Sequence, residues 1–110
     1  MSPTSLYIGN PIITYTMYIK RATPQGFVLE WYTDPESTIP ATQLDGEIIR
    51  ITIGDAPVVI YDTVCVGNVV TFSLTAEQTN LPFQLYDGVI YLIGTDDVPL
   101  VDLRVEVGPN

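Results

Sequence analysis

The sequence predicts an all-β domain, an antiparallel β-sandwich of seven or eight short strands, with a small Greek-key barrel as the alternative architecture. Three observations predict it. Apolar and polar residues alternate at a period of two in several segments, turn residues interrupt the chain roughly every 8 to 12 residues, and no segment of helix length is amphipathic. The 110 residues suit one hydrophobic core and one domain.

The elements follow in order. Gly9-Asn10-Pro11 interrupts the pattern, because proline offers no amide hydrogen and disfavours a helical residue before it. Residues 1–10 are therefore expected to form a separate arm ahead of a domain spanning residues 11–110. Ile13, Tyr15, Met17 and Ile19 then share one parity, opposite Thr14, Thr16, Tyr18 and Lys20, as a half-buried strand requires. After Thr23-Pro24-Gln25-Gly26, a second strand places Phe27, Leu29 and Trp31 on one face, with Trp31 as core anchor. Two prolines between Asp34 and Pro40 exclude a central strand there and predict an exposed connection.

Asp45-Gly46 reads as a turn into Glu47–Ile53, where Ile49, Ile51 and Ile53 line the core and Arg50 points outward. Gly54-Asp55-Ala56-Pro57 separates that strand from Val58–Tyr61, and Gly67-Asn68 precedes the strand Val69–Leu74. Thr75 and Gln78 have capping-box spacing, enough for one helical turn before Pro82. Gln84–Gly94 and Leu100–Val107 complete the chain. In the latter, Val101, Leu103, Val105 and Val107 alternate with Asp102, Arg104 and Glu106. The intervening segment, Gly94 to Pro99, is expected to be a hairpin loop that makes the last two strands neighbours.

The ionisable residues exclude several functions. Thirteen acidic side chains face four basic ones, with no histidine and a formal charge of −9, so the mean field repels phosphate and direct nucleic-acid binding is disfavoured. Lys20 and Arg21 read as a solvated strand end. Without histidine, neither a Ser-His-Asp nor a Cys-His arrangement can form. Cys65 is the only cysteine, so no intramolecular disulfide forms and no oxidising compartment is needed; its Val-Cys-Val setting suits a small buried hydrophobe. Asp45 with Glu47, and Asp96 with Asp97, are the carboxylate pairs that acid/base catalysis would use, and Asp96 and Asp97 with loop carbonyls could ligate Ca²⁺, yet turn positions explain these residues more simply. No catalytic, cofactor-binding or metal-binding residue is assigned, and a non-enzymatic protein without cofactors is expected. The first residues lack a secretory signal, so the chain is expected to be retained as synthesised, and no apolar run approaches the roughly 20 residues of a membrane span.

Contact with other chains is the function that the composition favours. Apolar residues make up 46% and charged residues only 15%, so part of the apolar surface is expected to meet other subunits. The weakly charged first strand and the arm supply the candidate assembly residues Leu6, Tyr7, Ile8, Ile12 and Tyr18, because a strand edge without charge protection accepts a neighbour's strand. The seven tyrosines raise an alternative, a glycan-binding module for host-surface recognition. Its candidate contacts are Tyr18 and Tyr32, although tyrosine is also favoured in strands and at protein interfaces, and packing or subunit contact is the favoured role.

From Phe27 to Val107 the order of these cues resembles small β-sandwich domains of tailed-bacteriophage virions, including those related to upper baseplate proteins. The resemblance rests on Leu29-Glu30-Trp31-Tyr32, a proline-containing connection, Ile48–Ile53 and Val69–Leu74 closing on Thr75-Ala76-Glu77-Gln78-Thr79. Tyr86-Asp87-Gly88-Val89 and Leu103–Val107 complete it. It implies a non-enzymatic structural component of the tail, baseplate or capsid, made in the host cytoplasm and carried in the virion. Such a component packs in symmetric copies against other virion proteins. The resemblance carries over no catalytic residue, and the tyrosine-rich first strand departs from it.

Overall fold

A computed structural model describes residues 4–9, 11–54, 59–82, 84–94 and 96–108. Eight strands are present: β1 (Thr4–Tyr7), β2 (Ile13–Lys20), β3 (Gln25–Tyr32), β4 (Ile48–Ile53), β5 (Val59–Val64), β6 (Val69–Leu74), β7 (Leu85–Ile93) and β8 (Val98–Gly108). They form a three-stranded sheet ordered β1-β3-β6 and a five-stranded sheet ordered β2-β8-β7-β4-β5. The inner faces enclose one apolar core. The expected all-β sandwich is thus observed, and the sheets do not close into a barrel.

Two pairings differ from the antiparallel expectation. β1 runs parallel to β3, and β2 runs parallel to β8. The chain crosses from one sheet to the other between β1 and β2 and again between β2 and β3. Each early strand therefore joins a partner whose direction was not set by a hairpin, and local alternation carries no information on that choice.

The expected separate arm is corrected for residues 4–7. These residues pair with Leu29–Tyr32 of β3, and Leu6 lies opposite Trp31 with only 5% of its surface exposed. The break at Pro11 marks the crossing between sheets instead of a domain boundary. A strand with one inward apolar residue gains both burial and backbone hydrogen bonds by joining β3. Residues 1–3 and 10 of the expected arm lie outside the described residues.

The core follows the alternation. Met17 and Ile19 of β2, Leu29 and Trp31 of β3, and Ile49, Ile51 and Ile53 of β4 are all buried. The Trp31 indole Nε1 has no hydrogen-bond partner among the described residues. Leaving it unpaired costs about 1–3 kcal/mol, less than the roughly 4–6 kcal/mol that burying an indole's area contributes. Tyr61 of β5 meets Phe72 of β6 edge-to-face, with ring centroids 5.8 Å apart and planes at 71°, and so ties one sheet to the other.

β7 and β8 are neighbours, as the expected hairpin requires, but β8 starts earlier than the alternation suggests. Val98 and Pro99 pair with Leu92 and Tyr91, and the register shifts between Ile90 and Tyr91. Leu100 is the extra residue, and it and Val101 are both buried, so the bulge turns two successive side chains inward. Pro99 is tolerated in this central strand because β2 begins pairing only at Val101. Beside the bulge, Gly88 lets β7 approach β4, since a Cβ there would run into the Thr52 carbonyl oxygen.

The helical turn forms where the capping signal predicts, as α1 (Ala76–Thr79). The Gln78 amide donates to Thr75 Oγ1 at 3.2 Å, and the Thr75 amide donates to Gln78 Oε1 at 2.9 Å.

Candidate functional site

With Leu29 and Trp31 turned inward, β3 presents Val28, Glu30 and Tyr32 on the outer face of the small sheet. The parallel register sets Ser5 beside Glu30 and Tyr7 beside Tyr32. The Tyr32 hydroxyl donates to Glu30 Oε2 at 3.1 Å. That hydrogen bond favours the neutral phenol, and partial burial and the nearby carboxylates of Glu30 and Asp34 act in the same direction, so Tyr32 titrates above its ordinary value. The Ile8 amide extends the strand by donating to the Tyr32 carbonyl at 3.0 Å.

The expected site residues separate on this frame. Tyr7 and Tyr32, assigned from sequence to different roles, are neighbours. Tyr18 and Tyr32, expected to share a glycan contact, lie on different sheets. Both point outward by parity, so they occupy opposite faces of the sandwich and form no common platform. Tyr18 is 51% exposed, and its phenol covers Gly108, where a Cβ would collide with it. Leu6 is occupied by the core, which removes it from an interface with another chain. Ile8 is half-buried against that core and Ile12 is half-buried.

The five-stranded sheet has the larger outer face, and its register orders the side chains in rows. One row reads Thr14, Asp102, Val89, Thr52 and Ile60 from β2 to β5, and the next carries Thr16, Arg104 and Asp87. Between these rows lies an open depression of about 480 Å³, lined by Thr14, Thr52, Asp87, Tyr91, Asp102 and Arg104, with Gly88 and Leu103 among its remaining lining residues.

Further along the same face, Tyr91 sits beside Arg50, and Arg50 beside Asp62. Arg50 Nε and Nη2 donate to the two Asp62 oxygens at 2.7 and 3.0 Å. This pairing holds Asp62 below and Arg50 above their ordinary pKa values, and the field of Asp97 adds to the shift on Arg50.

Past the ion pair the face becomes apolar. Ile93, Ile48 and Val64 form one row, and β5, one of the two edge strands of the sheet, also exposes Ile60. Ile60 is 55%, Val64 53% and Val66, just beyond the strand, 73% exposed. Sequence reasoning assigned Ile48 and Ile60 to strands and read Val64 and Val66 only as the setting of a buried Cys65, and it missed the exposure of all four. A signal was present: Ile48-Ile49, Val59-Ile60 and Val64-Cys65-Val66 are apolar on both parities, and a strand apolar on both parities has a second apolar face to cover.

Of the two carboxylate pairs, the one at Asp45 serves a turn. Asp45 Oδ1 accepts the Gly67 amide at 2.8 Å, which joins the two turns flanking β4 and β6. No group of three or more His, Cys, Asp or Glu able to hold a metal ion occurs among the described residues. Cys65 is buried, and that burial, with the charge of Asp45, raises its thiol pKa. Among the described residues no helix is long and apolar enough to cross a membrane.

No family model matches the chain, and no curated protein matches it. Among solved structures it is similar to the N-terminal domain of phage TP901-1 ORF48, with a TM-score of 0.55 and 8% sequence identity, over 94% of this chain and 93% of that one. At that identity the likeness is one of fold.

Proposed function

We infer that this chain is a non-enzymatic structural component of a phage virion, in the tail or baseplate or on the capsid, acting through contacts with other virion proteins. The similarity to a phage domain along nearly the whole length of both chains supports the setting. The observation that carries the assembly role is the free β5 edge with Ile60, Val64 and Val66 exposed beside Ile48.

A free edge offers unpaired backbone groups, and apolar side chains beside it give an incoming segment something to bury. Full burial of each such side chain stabilises a contact by about 1.5–3 kcal/mol. The three-stranded sheet has its own open edge at β1, where Tyr7 and the neighbouring Tyr32 are half-buried. The acidic surface sets the conditions: copies carrying −9 each repel at low salt, so association strengthens as salt screens them.

Light scattering over a range of concentration and salt tests this reading. The expected result is a mass above 12.1 kDa that rises with salt and falls when Ile60→Lys and Val64→Lys are introduced together. A mass of 12.1 kDa under every condition, before and after those substitutions, would rule out self-assembly through this edge.

A further inference from the structure

We propose that the depression on the outer face of the five-stranded sheet is a binding site for a neutral polysaccharide, held by Asp87, Asp102, Arg104, Thr14 and Tyr91.

The first ground is the state of its charged groups. Arg104 and Asp87 are direct cross-strand partners, as Arg50 and Asp62 are on the same face. The second pair closes into a two-pronged ion pair, whereas Arg104 and Asp87 form none. The side chains of Asp87, Asp102 and Arg104 make no hydrogen bond or ion pair with any described residue. Three uncommitted groups from adjacent strands thus line one depression.

The second ground is shape. At about 480 Å³ the depression falls within the roughly 300–1,000 Å³ range of ligand sites, and it is open to solvent, so a polymer can enter without threading into an enclosed cavity.

The chemistry selects the ligand class. Two carboxylates accept hydrogen bonds, a guanidinium donates up to about five, and the Thr14 hydroxyl does either. Vicinal hydroxyls, each both donor and acceptor, satisfy such a mixture. Tyr91 adds an aromatic surface for the C–H face of a sugar ring. An anionic polymer meets two carboxylates and a net charge of −9. A simple cation meets Arg104, and an apolar ligand would strand every polar group. This site is separate from Tyr32 on the opposite face, and it stands whether or not the β5 edge mediates assembly.

The test is electrophoresis of the full chain through native gels containing dextran, mixed-linkage β-glucan or galactomannan, with polygalacturonate as the anionic comparison. The expected result is retardation by at least one neutral polymer. Asp102→Ala and Arg104→Ala should each raise the polymer concentration needed for half-retardation at least tenfold, while Tyr32→Ala leaves it unchanged. Melting temperatures of the variants within a few degrees of the parent separate loss of the site from loss of the fold, and Asp87→Asn serves as the milder variant. Retardation by none of the neutral polymers, equal retardation of parent and groove variants, or retardation by polygalacturonate alone would each overturn the proposal.

Discussion

Thr79 and Thr23 exchange two hydrogen bonds: the Thr79 hydroxyl donates to the Thr23 carbonyl at 2.8 Å and accepts the Thr23 amide at 2.9 Å. Thr79 is the one polar residue fully buried among the described residues, and its carbonyl also accepts the Ala22 amide at 3.3 Å. The pair fastens α1 to the turn between β2 and β3. Thr79→Val keeps the shape but leaves the Thr23 amide and carbonyl without partners, at an expected cost of about 1–3 kcal/mol. Urea denaturation measures it, and a change below about 0.5 kcal/mol would show that water replaces the hydroxyl there.

Ala22, in that same turn, has φ +57°, a left-handed conformation that costs a residue with a Cβ roughly 1–2 kcal/mol. Glycine removes the strain but adds freedom to the unfolded chain. The expected balance for Ala22→Gly is a gain of up to about 1 kcal/mol, or a rise of several degrees in Tm for a domain of this size. A fall in Tm would place the entropic loss above the strain.

Gly88→Ala and Gly108→Ala should differ in cost because their obstacles differ. At Gly88 the new Cβ meets the Thr52 carbonyl of β4, a strand paired on both sides, by β7 and β5. The expected loss is about 3 kcal/mol, at the upper end for overpacking. At Gly108 it meets the phenol of the half-exposed Tyr18, on edge strand β2, which can swing aside. There the expected cost is below about 1 kcal/mol, and it should vanish in a Tyr18→Ala background, a coupling that a double-mutant cycle reads directly.

Acid stability should depend on Asp34 and Asp62. Both are held below their ordinary value of 3.8, Asp34 first by the Thr38 hydroxyl and the Ile39 amide, and Asp62 first by Arg50. A depressed folded pKa means that the unfolded chain binds more protons in this range. Their contribution is therefore complete above about pH 3.8 and is lost as pH falls through the lower folded values. Asp62→Asn should flatten the fall in stability below pH 4, and an unchanged acid limb would exclude the ion pair as its source. Tyr32 acts at the other end: its raised pKa gives stability that is complete below pH 10 and lost above it, and Tyr32→Phe should remove that alkaline dependence.

What could be read from the sequence was what depends on near neighbours. Period-two alternation placed Met17, Ile19, Trp31, Ile49 and Val105 inward, and the Thr75–Gln78 spacing predicted a capping box that forms with both hydrogen bonds. The parallel pairings of β1 with β3 and of β2 with β8 were not legible, because crossings between sheets decide them. Nor was the bulge at Leu100, which only the partner strand reveals. The depression was hidden for the same reason. Thr14, Thr52, Asp87 and Asp102 each look like an ordinary outward polar position, and only the register of four strands brings them together.

The parallel pairing of β2 with β8 also governs timing. β2 is made early, and its strand partner is made last of the eight. At about 5–20 residues per second, synthesis separates them by on the order of ten seconds. During that interval the apolar residues of β2 lack their partner strand, and β2 cannot join β7, β4 and β5, because only β8 connects it to them. The five-stranded sheet can therefore close only once residues 98–108 have been made.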